Sequence, residues 1–264
     1  MSPPPAAPRR WHSSRSGVSL AAPPRPPRLV SVGGEPRVVT FDLSATAVIV
    51  VDMQNDFCHP QGWLAGIGVD VSPARALIGS LESLLAALRA AGVPVVWLSW
   101  GNRPDKVNLP ASVIAVYDPG GTGGGIGDRV SELSEAVLTE GSWGAAIVDG
   151  LTVAESDIHV PKFRMSGFWD TVLDSALRSL GIRHLLFAGV NVDQCVFATL
   201  IDAACAGYDC LLVRDVAGTT SPPFCAEATL YNVRQCFGFV TDSASVTAAL
   251  AAATAPRQEG GGAG

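Results

Sequence analysis

Long hydrophobic runs are absent from this sequence, and so are the cysteine patterns of small secreted domains. No window of the 264 residues reaches the 18 or more uninterrupted apolar residues of a membrane span, so we expect no membrane partner. The six cysteines form no C-x-x-C pair and share no metal-site spacing with histidine. We therefore expect neither a disulfide framework nor a metal ion, and no cofactor.

The N-terminal region lacks the apolar core of a secretory signal. Residues 1–36 hold nine of the nineteen prolines and show no helix or strand pattern. We predict a disordered Pro/Arg-rich leader over residues 1–37 and a disordered tail over 256–264. A transit peptide or a proline-rich ligand is the alternative for the leader. Without an export signal, we expect a reduced, cytoplasmic setting.

Positive charge is scarce beyond the leader. Five arginines and one glutamate lie in the first 36 residues, yet the formal net charge of the whole chain is −6. The body of the protein is therefore acidic, which argues against nucleic acid and anionic membranes as partners. A hydrophobic content of 48% with 16% charged residues is typical of a globular protein with a large core.

From Thr46 onward, short apolar runs alternate with helical patterns. The pattern predicts strands over residues 46–52, 93–100, 158–162, 184–190, 210–215 and 237–240. Helices are predicted over residues 73–92, 171–181, 195–207, 223–236 and 243–253. Continuous apolar strands separated by helices indicate a parallel sheet that is buried on both faces. We predict one α/β domain over residues 38–255, with three α/β/α layers and a mostly parallel, Rossmann-like sheet.

Three predicted strands end in, or lead directly into, reactive side chains: Asp52, Lys162 and Cys195. In such sheets the functional site lies beyond the carboxyl ends of the strands. Cys195 also begins a helix, where the macrodipole favours a thiolate nucleophile. Asp52 can act as general base, and Lys162 can stabilise both anions. Attack on a carbonyl would form a thioester, which water then hydrolyses.

Each of these residues also has a structural interpretation. An aspartate after a strand can cap a loop, a lysine there can be solvated, and a cysteine can serve only in packing. Their convergence on one edge of one sheet favours catalysis. The alternative of another class is a non-catalytic small-molecule binder on the same fold.

Three segments, VVDMQNDFCHPQGWL, VPKFRMSGFWD and VDQCVFATLIDAACAGYDC, resemble the isochorismatase-like cysteine hydrolases, and the resemblance covers roughly residues 40–245. It implies that Asp52, Lys162 and Cys195 form a catalytic triad. It also implies a cis peptide bond between Val190 and Asn191, and an oxyanion hole made by the amides of Asn191 and Cys195. A homodimer or homotetramer is the implied assembly.

Within that family, the segment GSWGAAIVDGL resembles ureidoacrylate amidohydrolases, and NRPDKVNLP with GGGIGD resembles biuret hydrolases. Ureidoacrylate enzymes carry Thr-Asn where this chain has Val192-Asp193, so the resemblance leaves the substrate open. The expected function is a cysteine-dependent amidohydrolase that cleaves the C–N bond of a small ureido compound, amide or lactam. A streptothricin hydrolase, which opens the streptolidine lactam, is the alternative.

Aromatic and polar residues near the predicted strand ends are candidates for substrate contacts. Aromatic walls with few polar groups are usual for small-molecule sites, although core packing places aromatics equally well. We predict substrate contacts from Phe57, Asn102, Phe168 and Trp169. Further aromatic candidates for the pocket are Trp63, Trp143 and Tyr231.

Overall fold

A sheet of six parallel strands crosses the computed structural model, which describes residues 8, 10–21, 26–130 and 135–254. The strands of these described residues are, in chain order, β1 (His12–Ser14), β2 (Gly17–Ser19), β3 (Leu29–Val32), β4 (Val39–Asp42), β5 (Thr46–Val51), β6 (Val95–Trp100), β7 (Ile158–Lys162), β8 (His184–Gly189), β9 (Asp209–Ala217) and β10 (Gly238–Thr241). The central sheet has the order β10-β9-β8-β5-β6-β7. The predicted α/β fold with its Rossmann-like sheet is confirmed.

Strand β5 is the pivot of this sheet. The chain continues from β5 through β6 to β7 on one side, then returns to β8 on the other side of β5. Every residue of β5 is buried because helices cover both faces of the sheet, which explains its uninterrupted apolar sequence. The order of strands reverses between β5 and β8, and open α/β sheets bind ligands at such a point.

Helices cover both faces of the sheet. Within the described residues they are α1 (Asn55–Cys58), α2 (Trp63–Gly66), α3 (Ser72–Ala76), α4 (Ile78–Ala90), α5 (Ala111–Tyr117), α6 (Leu173–Leu180), α7 (Phe197–Cys205), α8 (Pro223–Asn232) and α9 (Ser243–Thr254). In α4 four leucines at helical spacing are fully buried, at positions 81, 84, 85 and 88. Two apolar clusters result, one on each face of the sheet.

The N-terminal boundary differs from the prediction. Strand β3, inside the predicted leader, pairs antiparallel with β4, and its Val30 and Val32 are 6% and 1% exposed. Strands β1 and β2 form an exposed hairpin. The structure therefore places β3 in the packed domain rather than in a disordered leader, because its buried valines alternate along the strand and supply core packing. The predicted tail over residues 256–264 lies outside the described residues.

Candidate active site

The carboxyl ends of β5, β7 and β8 bring Asp52, Lys162 and Cys195 together. Asp52 follows β5 in a left-handed conformation, with φ of 50°, and its N–H donates to the carbonyl of Leu98 at 2.9 Å. A non-glycine residue adopts this conformation rarely, so the surrounding structure must hold it there. A side chain at Gly189 would collide with the backbone of Val51, and this close approach joins the ends of β5 and β8.

Asp52 and Lys162 form a buried ion pair. Nζ of Lys162 lies 2.8 Å from Oδ2 of Asp52, and the two side chains are 0% and 2% exposed. The same ammonium donates to the carbonyl of Arg164 at 3.3 Å and lies 4.2 Å from the ring centroid of Trp100. Burial disfavours a charged lysine, but the carboxylate of Asp52 and the neighbouring sulfur of Cys195 outweigh burial and raise the pKa of Lys162. The raised pKa favours the ammonium form of Lys162.

The pKa of Asp52 is raised from its ordinary value because burial disfavours the carboxylate, and the charge and hydrogen bond of Lys162 oppose this only in part. A raised pKa makes the carboxylate a stronger base than an exposed aspartate. Asp52 is thus suited to accept a proton from a neighbouring thiol.

Cys195 lies in a wide helical turn, Val192–Val196, that precedes α7, and it is 5% exposed. Burial raises the pKa of its thiol to about 12, Lys162 opposes the shift, and the charge of Asp52 adds to it. Burial thus opposes the thiolate that the helix start was expected to favour. A thiol with a raised pKa must lose its proton to a neighbouring base before it can act as a nucleophile.

The turn before Cys195 holds the amides of the predicted oxyanion hole. The peptide bond between Val190 and Asn191 is cis, as the resemblance implied. The N–H groups of Val192, Gln194 and Val196 donate to backbone carbonyls. Among the described residues, no acceptor takes the N–H of Asn191. That donor is therefore available to a ligand oxygen.

A cavity of about 110 Å³ opens onto the thiol. It is lined by Asp52, Phe57, Trp63, Leu64, Trp100, Tyr117, Ile126, Val190, Asn191, Gln194, Cys195 and Thr220. Phe57, predicted to contact substrate, and Trp63, a candidate for the pocket, both line this cavity. Two further lining residues, Tyr117 at the end of α5 and Ile126 in the loop that follows it, were missed. A 2.8 Å hydrogen bond from the indole of Trp63 to the carbonyl of Gly124 holds that loop. No sequence signal marks which residues of that loop reach the site.

Three other predicted contacts lie outside this cavity. Asn102 is buried, accepts a 2.6 Å hydrogen bond from the indole of Trp100 and donates to the carbonyl of Val137, so its amide groups are already used. Asn102 thus positions the ring beneath Lys162.

The aromatic pair predicted to contact substrate is also placed elsewhere. Phe168 packs against the ring of Tyr208, with 5.7 Å between centroids. Trp169 is 64% exposed and donates its indole N–H to Asp202. Both residues follow Lys162 in the chain, but the backbone turns away from the sheet edge before it reaches them. The predicted contacts of Asn102, Phe168 and Trp169 are corrected accordingly.

Within the described ranges, no group of three or more histidine, cysteine, aspartate or glutamate side chains could hold a metal ion. No helix in that part of the chain has the length and apolar character needed to cross a membrane.

The chain is similar to several known proteins. Residues 46–245 match the isochorismatase domain. The ureidoacrylate amidohydrolase RutB of Klebsiella variicola is 37% identical over 228 residues, which cover 86% of this chain and 95% of that protein. A crystal structure of a cysteine hydrolase from Pseudomonas syringae pv. phaseolicola superposes with a TM-score of 0.68 at 24% identity, covering 81% of this chain and 95% of that one.

The crystal structure of N-carbamoylsarcosine amidase from Thermoplasma acidophilum is also similar. It has a TM-score of 0.57 and 25% identity, and the match covers 75% of this chain and 96% of that one. The domain match spans most of this chain, and the relative from Klebsiella variicola is aligned over nearly its whole length. This protein therefore belongs to the isochorismatase family of hydrolases.

Proposed function

We propose that this protein is a cysteine-dependent amidohydrolase that cleaves the C–N bond of a small ureido compound, amide or lactam through a thioester. The observation that carries the proposal is the buried ion pair of Asp52 and Lys162 beside the thiol of Cys195. The relatives named for amide hydrolysis support the bond type. A non-catalytic binder would have no need of a buried base next to a thiol.

The first half of the reaction forms the acyl enzyme. Sγ of Cys195 attacks the substrate carbonyl carbon while its proton passes to the carboxylate of Asp52. The carbonyl oxygen becomes an oxyanion, which accepts hydrogen bonds from the amides of Asn191 and Cys195. When this tetrahedral species collapses, the C–N bond breaks, Asp52 returns the proton to the leaving nitrogen, and a thioester remains.

The second half releases the acid. Water attacks the thioester carbonyl and gives a proton to Asp52, and the C–S bond then breaks as the sulfur regains that proton. Lys162 keeps Asp52 ionised in a buried environment, because burial alone would leave that carboxyl protonated. No step in this sequence needs a metal ion, so treatment with EDTA followed by desalting should leave turnover unchanged.

The cavity of about 110 Å³ has room for a small head group, such as a urea or a simple amide. Streptothricin is the second candidate, because an open groove adjoins this cavity and could accept the remainder of a larger lactam. We further propose a cytoplasmic homodimer or homotetramer.

Turnover of ureidoacrylate, biuret, streptothricin and isochorismate tests the bond type. We expect C–N cleavage of at least one of the first three. Rapid acid quench and peptide mass spectrometry should place an acyl adduct on Cys195. Cys195→Ala should abolish both signals, whereas Cys58→Ala, which removes another buried thiol, should retain them. Cleavage of isochorismate alone, or full activity of Cys195→Ala, would contradict the proposal.

A further inference from the structure

An open groove of about 500 Å³ lies beside the cavity at Cys195, and we refer to it as the outer groove. Tyr117 and Gln194 line both spaces, so a substrate could extend from one into the other. Most of the remaining wall is apolar and includes Val116, Phe197 and Ile201. The outer groove therefore suits an aliphatic chain attached to the group that is cleaved.

One charged side chain, Asp193, lines the outer groove. Its Oδ1 is buried and, among the described residues, has no hydrogen-bond partner. No described lysine, arginine or histidine forms an ion pair with it. Asp193 lies in the first turn of the helical segment, where the dipole favours a carboxylate, but the dipole gives Oδ1 no donor. The carboxylate of Asp193 therefore has no described cation beside it, and its charge is left without a partner in the structure.

The charges of the combined site are unbalanced. Its lining includes two carboxylates, Asp52 and Asp193, and none of the described lining residues is cationic. Asp52 is paired with Lys162, so Asp193 is the unpaired charged side chain among the described lining residues. A cation in this groove gains a partner, whereas a carboxylate there is repelled.

We infer that Asp193 selects the charge of the substrate and that this enzyme favours amides or ureas carrying an alkyl chain with a terminal ammonium or guanidinium group. This inference rests on the proposed function and specifies its substrate class. The relative's ureidoacrylate carries a carboxylate, which the outer groove of this chain would disfavour.

Three ureas of similar length test the inference: 4-aminobutylurea, pentylurea and 4-ureidobutanoate. For each charged urea, kcat/KM is expressed relative to the value for neutral pentylurea. In the wild-type enzyme, the ratio of 4-aminobutylurea to 4-ureidobutanoate should be at least about tenfold, a typical effect of local charge. Asp193→Asn should bring this ratio close to one, and Asp193→Glu should keep it. Asp202→Asn is the matched control, because Asp202 lies on the same helical segment but pairs with Trp169 outside the groove. It should leave the ratio unchanged.

A second measurement does not depend on turnover. Cationic, neutral and anionic methanethiosulfonates of similar size should be compared by their rates of modification at Cys195, measured on its peptide. Rates at the exposed Cys205 correct for intrinsic reactivity. The cationic reagent should react faster than the anionic one at Cys195, and Asp193→Asn should remove most of that difference.

The two measurements separate the two proposals. If neither the three ureas nor the other amides are hydrolysed, the proposed function is contradicted. If Cys195 still reacts faster with the cationic methanethiosulfonate, the role of Asp193 is nevertheless supported. Turnover with equal rates for both charged ureas would overturn the inference and leave the proposed function intact. An unchanged ratio in Asp193→Asn would also overturn it.

Discussion

The ammonium group of Lys162 lies 2.8 Å from the carboxylate of Asp52, and both side chains are excluded from water. Each charge exists in the protein interior because the other is present. The neighbouring thiol of Cys195 has its pKa raised to about 12 by the same burial. The carboxylate, the ammonium and the thiol are therefore one electrostatic unit, and we expect removal of a single member to change the pKa values of the others.

The ion pair should affect stability as well as activity. Lys162→Met leaves Asp52 buried without its partner, which costs about 3–5 kcal/mol for a pair of this kind. Asp52→Asn should also destabilise, because Lys162 is then unpaired. The double variant Asp52→Asn/Lys162→Met should be more stable than Lys162→Met alone, yet all three should lack activity. Urea unfolding and turnover measure the two effects, and Asp105→Asn, in an exposed pair, should change neither. Additive losses of stability would show that the pair is not coupled.

As the pH is lowered, activity should be lost at a pH above the range in which an ordinary aspartate titrates. Asp52 must be ionised to accept the thiol proton, and burial raises its pKa above the ordinary value of 3.8. As the pH falls through that raised pKa, Asp52 becomes protonated and kcat/KM decreases. The pH profile of kcat/KM should therefore lose activity at a pH above the ordinary carboxyl range. Constant activity down to pH 4 would exclude Asp52 as the base.

Stability should decrease in alkali because of buried thiols. Burial raises the pKa values of Cys58, Cys195 and Cys210 to about 12, whereas an unfolded thiol titrates near 9. Between these values the folded protein keeps protons that the unfolded chain releases, so the free energy of unfolding falls as pH rises. Guanidinium unfolding at several pH values should show a shallower decline for Cys210→Ala. Cys236→Ala, which changes an exposed thiol, should retain the wild-type slope.

The N-terminal strand should contribute to stability. Val30 and Val32 of β3 are buried, and Glu35 pairs with Arg214 at 2.6 Å and with Arg234 at 2.8 Å. A chain that begins at residue 38 loses these contacts. Each buried valine contributes about 1.5–3 kcal/mol to the free energy of unfolding. In a domain of this size, each kcal/mol lost lowers the melting temperature by about 2–4 °C.

Thermal unfolding compares this shortened chain with one that begins at residue 26. We expect the chain from residue 38 to melt several degrees lower and the chain from residue 26 to keep the full melting temperature. If the chains that begin at residues 26 and 38 melt at the same temperature, β3 is dispensable for stability.

Much of the fold follows from local sequence patterns. The run Thr46–Val51 predicts a buried parallel strand because all of its residues are apolar or small and both faces of the sheet are covered. Gly181 ends the predicted helix α6 in a left-handed conformation, with φ of 72°. The short strand β3 escaped prediction because its four residues follow a proline-rich segment and acquire their core contacts only through tertiary pairing.

The sequence by itself determined the alternation of strands and helices and placed Asp52, Lys162 and Cys195 at strand ends, since residue spacing and apolar runs are local properties. The tertiary structure decided the electrostatic environment of these residues. Burial raises the pKa of the Cys195 thiol, and the neighbouring Asp52 and Cys195 raise the pKa of Lys162. It also decided that Tyr117 lines the site while Asn102 and Trp169 do not. Desolvation and side-chain direction depend on neighbours that are distant in the chain, so no local pattern encodes them.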